Sequence, residues 1–110
     1  MAGWFELDKS KNEQFFFTLN AGNGETILTS EHYTAKGSAE NGIASVQTNC
    51  GQDARYDRKL ASNGKAYFNL KGANHQVIGT SQMYASTASR DAGIESVKAN
   101  GTTKTIKDNT

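Results

Sequence analysis

From Gln14 to Asn20 the chain alternates with a period of two, placing Phe15, Phe17 and Leu19 on one side and Phe16 and Thr18 on the other. That is the pattern of a strand half-buried against a core. Ala66, Phe68 and Leu70 repeat it against Tyr67 and Asn69, so the Phe15 side is predicted to be the core face. Trp4-Phe5-Glu6-Leu7 begins an earlier strand, and Glu25 to Ser30 reads as a third. Polar turns separate them at Ser10-Lys11-Asn12-Glu13, matched later by Ala61-Ser62-Asn63-Gly64, and at Ala21-Gly22-Asn23-Gly24. Asn63-Gly64 is expected to supply the positive φ angles of a tight hairpin.

From Thr34 the period becomes that of a helix. Ala39, Gly42, Ile43 and Val46 fall at i, i+3, i+4 and i+7 on one amphipathic stripe, and Gly93, Ile94 and Val97 form a second stripe with Arg90 where Ala39 stood. Thr34 is expected to cap the N-terminus of its helix. Asn49 and Asn100, each followed by a small residue, are expected to close the helices in the left-handed conformation. A glycine in a helix interior costs about 1 kcal/mol relative to alanine. Gly42 and Gly93 are therefore read as places where helix backbone and sheet come too close for a side chain. Thr102 to Lys107 is strand-like, and its counterpart, Gln52 to Asp57, runs straight into the first strand of a second unit.

The second unit is a copy of the first. At a constant offset of 51, Phe5 to Cys50 aligns without a gap on Tyr56 to Gly101, with 14 identities in 46 positions. The identical pairs are Asn12/Asn63, Phe17/Phe68, Leu19/Leu70, Asn23/Asn74, Ile27/Ile78, Thr29/Thr80, Ser30/Ser81, Tyr33/Tyr84, Ser38/Ser89, Gly42/Gly93, Ile43/Ile94, Ser45/Ser96, Val46/Val97 and Asn49/Asn100. The expected organisation is a single domain over 1–110, with repeats at 3–51 and 54–102 and a C-terminal strand at about 102–107. Three strands and one helix bury little alone. The predicted fold is α+β: two tandem βββα(β) repeats forming one mostly antiparallel sheet, with two helices packed on one face.

Gly3-Trp4-Phe5-Glu6-Leu7, Leu19-x-Ala21-x-Asn23-Gly24-Glu25, Ile27-Leu28-x-Ser30-Glu31-x-Tyr33 and Asn41-Gly42-Ile43-Ala44-Ser45-Val46 carry a resemblance, and Gly93-Ile94-Glu95-Ser96-Val97-Lys98-Ala99-Asn100 repeats the last of them. Over nearly its whole length the chain resembles the YegP-like family, small bacterial proteins of unknown function built from single or tandem β3-α units. The resemblance implies one sheet made from both repeats, helices packed on it, and C-terminal strands exchanged between units. It implies no mechanism, because the family has no assigned catalytic or binding residues to carry over. The chain departs from the family pattern after each helix, with Cys50-Gly51 and Gly101-Thr102 where proline is usual.

Composition narrows the function more than it identifies it. With 35% hydrophobic and 21% charged residues in 110, the chain reads as globular and somewhat polar. No apolar stretch approaches the length of a membrane span, and Met1-Ala2-Gly3-Trp4 lacks the basic and apolar regions of a signal peptide. A cytoplasmic monomer without a membrane partner is expected, and a lone Cys50 fits a reducing compartment. Net charge is +1, split into −3 over 1–51 and +4 over 52–110. His32, His75 and Cys50 occupy non-equivalent repeat positions and show no metal-ligand spacing. Cys50 is read as a linker cysteine at a helix C-terminus. The recurring serines have no recurring histidine, so no triad is suggested, and no catalytic residue or cofactor is expected.

Two surfaces remain as candidates. Phe16 and Tyr67 project opposite the core face and would form an exposed aromatic pair if that side is uncovered. Arg55, Arg58, Lys59, Lys65 and Lys71 lie along the first hairpin of the second copy, near Tyr56 and Tyr67. Basic residues interleaved with aromatics on a sheet can hold a phosphate backbone and stack bases. Tyr33 and Tyr84 are read as anchors at the strand–helix corner, with lining a groove as the alternative. The expected function is a non-catalytic binding or interaction module with a protein partner. The alternative is weak single-stranded nucleic-acid binding through the basic hairpin.

Overall fold

The computed structural model describes residues 3–110; Met1 and Ala2, where the signal-peptide reading begins, lie outside the described residues. The first repeat is the meander β1 (Trp4–Lys9), β2 (Phe15–Asn20) and β3 (Thr26–Ser30), followed by helix α1 (Lys36–Asn49). A 3-10 turn at Asp53–Arg55 leads into the second meander, β4 (Tyr56–Leu60), β5 (Ala66–Lys71) and β6 (Val77–Thr80), then α2 (Thr87–Asn100) and a short β7 (Ile106–Asp108). All seven strands form one sheet in the order β4-β5-β6-β3-β2-β1-β7. Every pairing is antiparallel except β1 with β7, which is parallel.

The two half-sheets meet at β3 and β6, where Thr29 pairs with Thr80 and Ser30 with Gly79. Thr29 and Thr80 are equivalent positions of the repeat, so an approximate two-fold axis runs between them, perpendicular to the sheet. Either side of this seam the ladder is completed by side chains. The Ser30 hydroxyl accepts from the Phe17 N–H at 2.8 Å and donates to the Glu31 carbonyl, and Ser81 repeats both bonds with Phe68 and Gln82. The recurring serines thus satisfy buried backbone groups that would otherwise be orphaned.

Both helices lie on one face and reach across the seam, α1 against β2 and β6, α2 against β5, β3 and β2. The predicted stripe faces the sheet: Ala39, Gly42, Ile43 and Val46 are buried in α1, and Gly93, Ile94 and Val97 in α2. They close over Phe5, Leu7, Phe17, Leu19, Leu28, Phe68 and Leu70, each almost completely excluded from solvent. The helix glycines make room for side chains from the sheet and from the strand–helix corner. A Cβ on Gly42 would sit 2.8 Å from Phe17 Cε2 and 2.9 Å from the Tyr33 hydroxyl, and one on Gly93 would collide with the Tyr84 hydroxyl.

The helix ends differ from expectation. The N-cap of α1 is Ala35, extended at φ −124° and ψ 141°, with no side-chain bond. Thr34 lies one residue too early to reach the first free N–H groups. In α2 the equivalent position holds Ser86, whose hydroxyl accepts from the Ser89 N–H. At the other end Cys50 and Gly101 stay right-handed, with φ of −61° and −70°. Asn49 and Asn100 are the last helical residues, and each side-chain amide donates back to a carbonyl one turn earlier, Ser45 or Ser96, at 2.8 Å. Their free oxygens reach forward. Asn100 Oδ1 accepts from the Gly3 N–H and Asn49 Oδ1 from Arg55 Nε, so the two residues hold the starts of β1 and β4.

Cys50 is a core residue, not a linker residue, and is fully buried. A Cβ on Gly101, its repeat equivalent, would sit 2.8 Å from its Cβ and its Sγ. The sheet layer shows the same arrangement: a Cβ on Gly79 would fall 3.0 Å from Cγ of Leu28, its own equivalent, and 2.9 Å from the Thr29 carbonyl. At both places near the axis, equivalent positions face each other and there is space for one side chain.

The sheet edges are closed in different ways. β7 covers the β1 edge, with the Phe5 N–H donating to the Thr105 carbonyl and the Asn109 N–H to that of Leu7. Lys36 Nζ of α1 pins it through Asp108 at 2.6 Å and holds that carboxyl far below its usual range. Asp57, Arg58 and Lys59 put charges along the β4 edge, which disfavour strand addition. The Tyr56 N–H at its start is already bonded to the Asp53 carbonyl.

Two stability outcomes follow. Replacing Gly79 by Leu, the residue of the equivalent position, should destabilise the protein by about 1–3 kcal/mol through overpacking. Adding Leu28→Gly should recover part of that loss in urea unfolding, and a Gly79→Leu single variant as stable as the parent would refute the one-seat reading. His75 sits at φ +66° where the first copy has Gly24 at +89°. His75→Gly should raise stability by up to about 1 kcal/mol, because a left-handed backbone is costly for a residue with a Cβ.

Candidate functional site

Two clefts open between the helix layer and the sheet. One, of 210 Å³, is lined by Asn23 and Ile27 from the first repeat together with Tyr84, Ser89, Gly93 and Ser96 from the second. The other, of 200 Å³, is lined by Asn74 and Ile78 from the second repeat together with Tyr33, Ser38, Gly42 and Ser45 from the first. These are the same six positions at the offset of 51, and all six pairs are identical. Each cleft is therefore composite: the β2–β3 turn of the first repeat faces α2, and the β5–β6 turn of the second faces α1.

The local structure that builds each cleft is the same. Asn23 Oδ1 accepts from the Glu25 N–H and Asn74 Oδ1 from the Gln76 N–H, fixing the turn. Tyr33 is held by paired backbone bonds with Phe15, at 2.6 and 2.7 Å, and Tyr84 by the matching bonds with Ala66, at 2.9 and 2.7 Å. The tyrosine ring then crosses to the helix, where glycine leaves the hydroxyl space beside the helix backbone. The tyrosines are thus both corner anchors and cleft walls. Burial pushes the Tyr33 phenol up, and Glu31 nearby adds to the effect, so it stays a neutral donor and acceptor. Ser38 and Ser89 are exposed at the rim.

The clefts differ where the repeats diverged. Glu25 in the first stands where the second has Gln76, and Ala92 where the second has Asn41. Glu25 Oε1 accepts from Gln82 Nε2 at 3.0 Å. No lysine, arginine or histidine lines either cleft. Among the described residues no three His, Cys, Asp or Glu side chains converge to hold a metal ion. Burial pushes the Cys50 thiol up, away from the nucleophilic thiolate.

The structure does not bring the other candidate residues together. Phe16 and Tyr67 do lie on the face without helices, on β2 and β5, but β3 and β6 run between them, a separation of about 14 Å across the strands. They also point to opposite ends of the row Thr18–Thr29–Thr80–Asn69. Phe16 packs on His32 with ring centroids 5.1 Å apart. The face between the two aromatics is crossed by that polar row, in which the Thr80 hydroxyl donates to Asn69 Oδ1 at 2.8 Å.

The basic residues of the second hairpin are split between two faces and largely paired. Arg58 is in register with the core residue Phe68, so it projects to the helix side, where it meets Asp53 at 2.9 Å and Asp91 at 3.4 Å. Lys59 and Lys71 are on the opposite face, both against Asp57, which Lys71 first and Lys59 second hold below its ordinary pKa. Arg55 bonds to Asn49, and Lys65 stands exposed before β5. The clefts went unread in the sequence because their two halves come from different repeats. The available signal was the recurrence of Asn23/Asn74, Ser38/Ser89 and Ser45/Ser96, polar positions outside the core stripe.

No helix of the described residues is long and apolar enough to cross a membrane. A family model described as a domain of unknown function (DUF1508) matches residues 10–57 and 61–108, two segments again 51 apart. The UPF0339 protein YegP of Escherichia coli (strain K12) is 70% identical over the whole of both chains. The solution NMR structure of yegP from E. coli, a protein of unknown function, superimposes with a TM-score of 0.95 at 70% identity, covering 100% of this chain and 95% of that one. The solution NMR structure of a UPF0339 protein from Shewanella oneidensis gives a TM-score of 0.93 at 67% identity, covering 98% and 92%. With the family model matched twice and these relatives matched from end to end, the chain belongs to the YegP-like family, the tandem form of the DUF1508 domain.

Proposed function

We propose that the protein is a non-catalytic binding module with two equivalent small-ligand sites, one in each cleft. One observation carries this reading. Of the 14 identical pairs, six line the clefts, among them Asn23/Asn74, which also fix their turns, and Ser38/Ser89, exposed polar positions that pack in no core. Exposed positions are those where diverging copies change most freely. The lining is also unsuited to catalysis, since it holds no histidine, cysteine or pair of carboxylates to move a proton or attack a bond. Both clefts fall below the roughly 300–1,000 Å³ of sites that enclose a drug-sized molecule, so each takes a fragment or one unit of a longer chain.

The approximate two-fold symmetry gives the test a signature. When a small-fragment library is titrated into ¹⁵N-labelled protein, a genuine hit should move amides in equivalent pairs, Asn23 with Asn74, Ser38 with Ser89 and Gly42 with Gly93. Single changes should separate the sites: Ser89→Ala should weaken the response of the first cleft and leave the second intact. A library that moves none of these pairs would remove the proposal. Shifts confined to Arg55 through Lys71 on adding a single-stranded oligonucleotide, weakening as salt rises, would replace it with nucleic-acid binding.

A further inference from the structure

Resting on that reading, we infer that the ligand unit taken by each cleft is a neutral, hydroxyl-rich ring, a single saccharide unit. Charge decides the first part of the argument. With no cation in either lining, a phosphate or carboxylate would lose its hydration without compensation. The second cleft has no ionised side chain at all, and the first has only Glu25. The ligand that suits both is uncharged.

Hydrogen-bonding capacity decides the second part. Serine hydroxyls, the tyrosine hydroxyl and asparagine or glutamine amides each offer both a donor and an acceptor. Ser38, Ser45, Asn41, Asn74, Gln76 and Tyr33 crowd such groups around 200 Å³ of space. A partner must present donors and acceptors at close spacing in several directions, as ring hydroxyls do. The remaining lining is apolar, with Val77 and Ile78 in the second cleft and Ala21 and Ile27 in the first. A sugar ring matches that division, because its C–H faces are apolar and its rim is polar. The size agrees, and because both clefts are open to solvent a ring at the end of a longer glycan could enter.

The test is an NMR titration of the full chain with three probes: methyl glucoside, glucose 6-phosphate and N-acetylglycine amide. Methyl glucoside should shift the equivalent amide pairs in both clefts, with affinities on the order of millimolar. Tyr84→Phe should weaken the first cleft about three- to tenfold, the loss of one hydrogen bond, and leave the second unchanged. Tyr33→Phe should do the reverse, and an unchanged thermal midpoint in each variant would show that folding is not the cause. Glucose 6-phosphate should bind more weakly than the neutral ring, and tighter binding would overturn the inference. Shifts of the same pairs by N-acetylglycine amide but not by methyl glucoside would also overturn it, while leaving the two-site module standing. If neither probe moves the pairs, the saccharide class falls, and the fragment screen decides separately whether the clefts bind anything.

Discussion

The fold hangs on a short antiparallel seam. β3 and β6 share only the pairs Thr29–Thr80 and Ser30–Gly79, yet this contact alone turns two three-stranded meanders into one sheet. A three-stranded meander with one helix, about 50 residues, buries a smaller share of its surface than a full domain and is marginal alone. Across the seam each helix reaches strands of the other repeat, and Phe17, Leu28, Phe68, Ile43 and Ile94 become one core. The serines beside the seam matter for the same reason. By bonding the Phe17 and Phe68 amides they let β3 and β6 leave their own meanders without stranding buried backbone groups.

A seam on a two-fold axis places equivalent residues opposite one another, and on the core side that constraint accounts for two of the places where the copies differ. Leu28 faces Gly79 in the sheet, and Cys50 faces Gly101 beneath the helix ends. In both cases the first copy keeps the side chain and the second gives it up. Two leucines or two larger residues would overfill the same volume, while two glycines would leave a void, and each error costs core stability. These substitutions therefore record packing at the axis. Away from it, the identical pairs Phe17/Phe68, Leu19/Leu70 and Val46/Val97 occupy separate volumes and could stay the same.

Much of this was legible in sequence because the signals were local and written twice. The period-two run Phe15–Leu19 and the helical stripe Ala39–Val46 fixed strand, helix and core face, and the second copy removed the ambiguity. The helix ends were less legible, since a shift of one residue separates Thr34 from the true cap position at Ala35, and helix boundaries rest on geometry that composition specifies poorly. The aromatic pair misled for a different reason. Phe16 and Tyr67 share a face by parity, but parity says nothing of strand order, and the seam places two strands between them. Arg58 misled through register: it replaces Leu7 of the first copy, so it turns toward α2 and its acidic residues and away from the face that Lys59 occupies.

The clefts follow from the same seam. Joining the repeats about the axis carries the β2–β3 turn of one copy to the helix of the other, so no single repeat contains a complete site. Each repeat supplies the turn of one cleft and the helix face of the other. A change of Asn23 touches only the first cleft and a change of Ser38 only the second. A change common to both positions of a pair would alter both clefts. Asn23 and Asn74 also have a local reason to stay identical, since each side-chain oxygen accepts from the backbone N–H two residues on and fixes the turn that walls one cleft. The two clefts are thus matched by the axis, and a change that disturbs the seam would reach both at once, whereas a change in one turn or one helix face reaches one.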